Sequence, residues 1–70
     1  MAVLWRHKER GLVYEILTDN AFLECSQTPA LEVAFYTIAW TVYRNINTGG
    51  VWMRPTREFL DGRFERVSHD

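Results

Sequence analysis

The sequence predicts a mainly β domain of about five strands, with one short helical or 3₁₀ turn before the last strand. Three observations carry this. Leu12–Leu17, Thr41–Arg44 and Val51–Arg54 are short β-prone runs, rich in the β-branched and aromatic residues that favour strands. Asn47-Thr48-Gly49-Gly50 separates two of those runs, as a hairpin connection does. Pro55 and then Asp61-Gly62 punctuate the C-terminal third, marking a strand end and a turn.

Taken in order, residues 1–10 are a short apolar lead and a charged segment. Gly11 breaks into Leu12-Val13-Tyr14-Glu15-Ile16-Leu17, a strand with Leu12, Tyr14 and Ile16 on one face. Asp19-Asn20 reads as a turn and Ala21–Cys25 as a second strand. Ala30–Ala39 stays open between two readings. Thr28 capping a helix with Pro29 at its first position would put Leu31, Phe35 and Ile38 on one face. Val33, Phe35 and Thr37 alternate equally well as a strand. A short helical turn or loop leading into a strand near Trp40–Ile46 is preferred. Val51–Arg54 returns from the hairpin, and Pro55 ends that strand because proline lacks an N–H for the ladder. Thr56–Leu60 fits a single helical or 3₁₀ turn capped by Thr56. Asp61-Gly62 launches a last strand, Arg63–Val67, and residues 68–70 are a frayed tail to the single domain 1–67. This order resembles a small SH3-like or Tudor-like barrel, or a partly open β-roll.

Seventy residues lie near the lower limit for a self-sufficient core. A 47% hydrophobic and 14% aromatic content, with Trp5, Trp40 and Trp52, compensates. The single cysteine, Cys25, excludes an internal disulfide and fits a reducing cytoplasm. Met1–Trp5 runs into Arg6-His7-Lys8 without the apolar stretch of a secretory leader. The weakly charged run Leu31–Tyr43 is shorter than the roughly 20 residues that cross a bilayer. A soluble, cytoplasmic, non-membrane protein is therefore expected. Net charge is −1, which disfavours nucleic-acid binding by bulk electrostatics. The charges are nevertheless segregated. No Lys or Arg lies between Gly11 and Tyr43, whereas Arg6, Lys8, Arg10, Arg44, Arg54, Arg57, Arg63 and Arg66 occupy the two ends.

Several blocks carry a family resemblance. Trp5-Arg6-His7-Lys8, Val13-Tyr14-Glu15-Ile16, Val42-Tyr43-Arg44, Val51-Trp52-Met53-Arg54-Pro55, Phe59 and Asp61-Gly62-Arg63-Phe64-Glu65 occur in that order. They resemble a family of small bacterial and bacteriophage proteins, domain of unknown function number 1653, with the Asp-Gly-Arg-Phe ending of its phage branch. Ala30–Ala39 departs from the family pattern in its aromatic content. The resemblance implies ancestry and a phage or prophage setting in a bacterial cell, without implying a chemistry.

No catalytic signature is present. His7 and Cys25 lack the orienting third group a thiol nucleophile needs, and Cys25 reads as a small apolar strand residue. Ser26 and Ser68 have no nucleophile context. His7, His69 and Cys25 share no metal-ligand spacing, so neither metal nor cofactor is expected, and no enzyme. Two surfaces stand out instead. Tyr14, Tyr43 and Trp52 alternate with Arg6, Arg44 and Arg54, with His7 beside Arg6. Aromatic faces and guanidinium forks suit a flat anion such as a nucleotide, whose base stacks while its phosphates are gripped. The same residues also fit plain core packing with solvated arginine neighbours. Phe35, Tyr36, Ile38 and Trp40 crowd the stretch that lacks positive charge, and a domain this small has limited room for them. They are the expected protein interface, to a host or phage protein or in a homo-oligomer. The leading expectation is a non-catalytic protein-docking module. The alternative is a nucleotide or anion binder that sequesters its ligand in an oligomeric pocket, and nucleic-acid binding is the weakest reading.

Overall fold

A computed structural model describes residues 3–24 and 34–67 of the chain. Among these, short alternating runs pair into one antiparallel sheet. Its strands are β1 (Leu4–His7), β2 (Val13–Ala21), β3 (Trp40–Asn45), β4 (Val51–Pro55) and β5 (Phe64–Arg66). A helical turn, α1 (Ala34–Thr37), precedes β3, and a second, α2 (Thr56–Phe59), precedes the last strand. The hydrogen-bonded order is β4-β3-β2-β1-β5. The fold is thus mainly β, five strands in one sheet with a short helix before the last strand. The two ends of the order meet through side chains: the Arg54 guanidinium on β4 lies 5.8 Å from the Phe64 ring centre on β5.

The register fixes what faces inward. Trp5 is paired with Tyr14, Ile16 with Tyr43, Tyr43 with Trp52 and His7 with Phe64. Alternation then brings Tyr14, Tyr43 and Phe64 to one face, where they are buried with Phe59 of α2, and Trp5 and Ile16 pack against them. Phe59 stacks on Phe64 at a centroid distance of 4.2 Å, and Tyr14 meets Tyr43 edge-on at 5.1 Å. Four residues cannot sustain a helix on their own. Burial of Phe59 therefore holds α2 in place.

Several boundaries differ from those read in the sequence. The strand count of five holds, but its membership changes. Leu4–His7 is a strand, because it pairs with both β2 and β5 over long sequence separations. β2 runs on through Asp19-Asn20 and ends at Ala21, and of the second strand expected over Ala21–Cys25 the described residues Phe22–Glu24 are not strand. Register shifts between Ile16 and Thr18 and between Thr18 and Ala21 absorb the turn-prone residues as bulges, and such bulges bend a strand rather than end it. Thr56 is the first residue of α2 rather than its cap, and Pro55 precedes it without a side-chain capping bond. The Thr56 hydroxyl instead donates to the Asp19 carbonyl oxygen at 3.0 Å and accepts from the buried Thr41 hydroxyl at 3.0 Å. Within Ala30–Ala39 the helical form holds for Ala34–Thr37. Cys25, the 25–33 segment and residues 68–70 lie outside the described residues.

Candidate functional site

The chain turns between β1 and β2 at Lys8–Arg10. This turn closes through the Gly11 N–H donating to the His7 carbonyl at 2.7 Å, with Gly11 at φ +73°. The Lys8 N–H donates to the Arg63 carbonyl at 3.0 Å, tying the turn to the segment that enters β5. Gly62, at φ +106°, completes the wall on that side. Both glycines occupy the left-handed region where a side chain would strain the backbone. Between the turn, Gly62-Arg63 and Arg54 lies a cleft of about 570 Å³. A second hollow of about 460 Å³ is lined by Leu12, Tyr14, Tyr43, Asn45, Thr48 and Trp52. Arg10 and Arg54 line both, so the two adjoin along the face that carries Tyr14 and Tyr43, and together they are termed the groove.

The electrostatics of the groove follow from who is already paired. Lys8, Arg10, Arg54 and Arg63 line the first part against one carboxylate, Glu9. Arg63 is committed to Asp61 at 3.0 Å, with Glu58 at 3.9 Å. Arg54 is half-buried: its Nε donates to the Tyr43 hydroxyl at 3.3 Å, and Glu58 lies 3.9 Å from its Nη1. Among the described residues Lys8 and Arg10 have no acid within ion-pair distance. His7 is buried against Phe64, their rings edge-on at 5.0 Å, and its Nδ1 accepts the Arg10 N–H at 3.1 Å. Burial first, and then the Arg10 charge, hold its pKa below the ordinary 6.5, with Glu9 opposing. Trp52, 59% exposed, flanks the far end. Its indole lies back toward Gly50, where an added Cβ would come within 3.4 Å of Nε1.

Of the seven residues expected to bind a ligand, the structure brings together His7, Tyr14, Tyr43, Trp52 and Arg54 on this groove. Tyr14 and Tyr43 are buried core with an edge on the groove, whereas Trp52 is presented to solvent. Arg6 and Arg44 fall on the opposite face of the sheet, because each alternates with an inward-facing neighbour, His7 or Tyr43. There Arg6 binds Glu65 at 2.9 Å and Arg44 pairs with Glu15. Lys8, Arg10 and Arg63 were not singled out from the sequence. Their signal was the terminal clustering of basic residues, but only the β1–β5 pairing shows that they share a cleft. The expected interface is less exposed than its composition implied. Phe35, Tyr36, Ile38 and Trp40 are half-buried, and the Trp40 Nε1–H donates to the Phe35 carbonyl at 3.0 Å. The strongly exposed aromatic residues are Phe22 and Trp52.

A smaller apolar hollow of about 200 Å³ beside Trp5 and Phe59 has Asp19 as its charged group, so it does not suit an anion. Among the described residues no group of three or more His, Cys, Asp or Glu side chains is placed to hold a metal ion, and no helix is long and apolar enough to cross a membrane. Comparison of the chain with protein-family models, with curated proteins and with solved structures finds no match.

Proposed function

We propose that this is a non-catalytic binding protein whose groove takes a small, flat, anionic ligand of nucleotide size. One observation carries the reading: an exposed indole, Trp52, shares a groove with two cations, Lys8 and Arg10, that have no acid within ion-pair distance among the described residues. Stacking on an aromatic face contributes about 1–3 kcal/mol per base, and guanidinium forks match phosphate oxygens. Each hollow, about 570 and 460 Å³, also falls within the roughly 300–1,000 Å³ of small-ligand pockets. In the phage or prophage setting implied by the residue blocks, such a protein sequesters its ligand in the bacterial cytoplasm.

Titration of the protein with adenosine monophosphate, followed by tryptophan emission, tests this. Binding should alter Trp52 emission, and Arg10→Ala should weaken it about tenfold, the loss of one charge-assisted contact. Arg44→Ala on the opposite face should leave affinity unchanged. Equal affinities for the Arg10 and Arg44 variants would refute the assignment. A second reading, docking of another protein or a second copy, is favoured by β4. This edge strand carries three successive exposed apolar residues, Val51, Trp52 and Met53, and such edges pair readily. In that case nucleotide leaves the emission unchanged, and the emission instead shifts with protein concentration.

A further inference from the structure

The groove differs along its length. Arg10 and Arg54 line both ends, to which the Trp52 end adds Leu12, Tyr14, Tyr43 and Trp52 and the His7–Arg10 end adds Lys8 and Arg63. A ligand with a flat group at one end and concentrated negative charge at the other matches this gradient in one orientation. Lys8 and Arg10, with no acid within ion-pair distance among the described residues, supply positive charge at the cationic end, and His7 supplies a donor. Because Nδ1 accepts the Arg10 N–H, the proton of the neutral ring sits on Nε2. We propose that the His7–Arg10 end is a subsite for a phosphate monoester, and that His7 takes up a proton from solvent when the phosphate binds. The proposal rests on reading the groove as an anion site.

The coupling follows from what faces His7. Lys8, Glu9 and Arg10 come from its own turn, Arg54 from β4 and Arg63 from the entry to β5. Burial first, and then the cations that dominate this set, hold the ring's pKa below its ordinary value. A phosphate dianion placed among them offsets most of their charge and favours the imidazolium. The direction of proton flow is diagnostic. A cationic cleft acting alone strips any remaining proton from a monoester, whose second pKa is about 6, and so releases protons. Uptake requires a protein group such as His7.

Isothermal titration calorimetry of the full chain with adenosine monophosphate, near pH 7 in two buffers of different protonation enthalpy, measures that flow. The expected result is uptake of a substantial fraction of one proton. Affinity should rise about three- to tenfold from about pH 8 to about pH 6.5, within the tenfold per pH unit that one linked proton allows. His69→Gln should keep this slope and His7→Gln should flatten it. The uptake measured on the unaltered protein stands even if the His7 variant folds poorly. Adenosine should bind at least about tenfold more weakly, with no uptake. If adenosine and its monophosphate bind equally and no proton is taken up, the subsite is wrong while the flat-ligand reading survives. Net proton release overturns the role of His7. If neither compound nor inorganic phosphate binds, the groove reading falls as well.

Discussion

Thr41 and Thr56 show how single residues fix this fold. Thr41 is 1% exposed, and a buried hydroxyl without a partner costs about 1–3 kcal/mol. Its hydroxyl donates to that of Thr56, which donates onward to the Asp19 carbonyl, so β3, α2 and the bent end of β2 share one chain of bonds. Thr56→Val keeps the shape but breaks both links. It should lower unfolding free energy by about 1–3 kcal/mol in a urea titration, whereas Thr48→Val on the exposed hairpin should cost less. The sequence marks Thr56 as the cap of a helical turn after proline, not as a link between elements. Its partners lie 15 and 37 positions away, which no local pattern encodes. Trp52 is the opposite case. Its pairing with Tyr43 follows from the Gly49-Gly50 turn and was legible, but its exposure was not. Burial depends on which strand occupies the edge.

At the scale of elements, legibility follows the distance between partners. The β3–β4 hairpin is local, and its turn is held by Asn45, whose Oδ1 accepts the Asn47 and Thr48 N–H groups at 2.8 and 3.0 Å. Both strands emerge from sequence within a residue or so of their bounds. β1 has four residues and no local partner besides β2, so its alternation is too brief to register. β2 misleads in the other direction, since Asp19-Asn20 carries the composition of a turn inside a bulged strand. α2 is legible in place but not in cause. Phe59, 2% exposed, stacks on Phe64 and meets Trp5 and Tyr43. Phe59→Ala should cost about 3–5 kcal/mol, enough to unfold much of a domain this small. Leu60→Ala on the next, exposed position should leave thermal stability nearly unchanged.

For the whole molecule, the decisive feature is how the sheet sorts its arginines. The sequence shows aromatic residues interleaved with arginines, and strand alternation then divides them. Arg6 and Arg44 go to one face with acid partners, while Arg54 joins His7 and Trp52 on the other. His7, Tyr14, Tyr43, Trp52 and Arg54 were therefore visible as composition, whereas Lys8, Arg10 and Arg63 depended on strand pairing. A one-residue change of pairing would exchange the faces. The unpaired cations Lys8 and Arg10 became part of the site only because β1 lies between β2 and β5. Amide and indole NMR spectra of the labelled protein, recorded while adenosine monophosphate is added, test this division most directly. The account predicts shifts at Lys8, Arg10, Gly62, Arg63 and the Trp52 indole N–H, with Arg6, Arg44 and Glu65 unmoved. Shifts confined to the Arg6–Arg44 face, or to Val51 and Met53 without the His7–Arg10 turn, would contradict it.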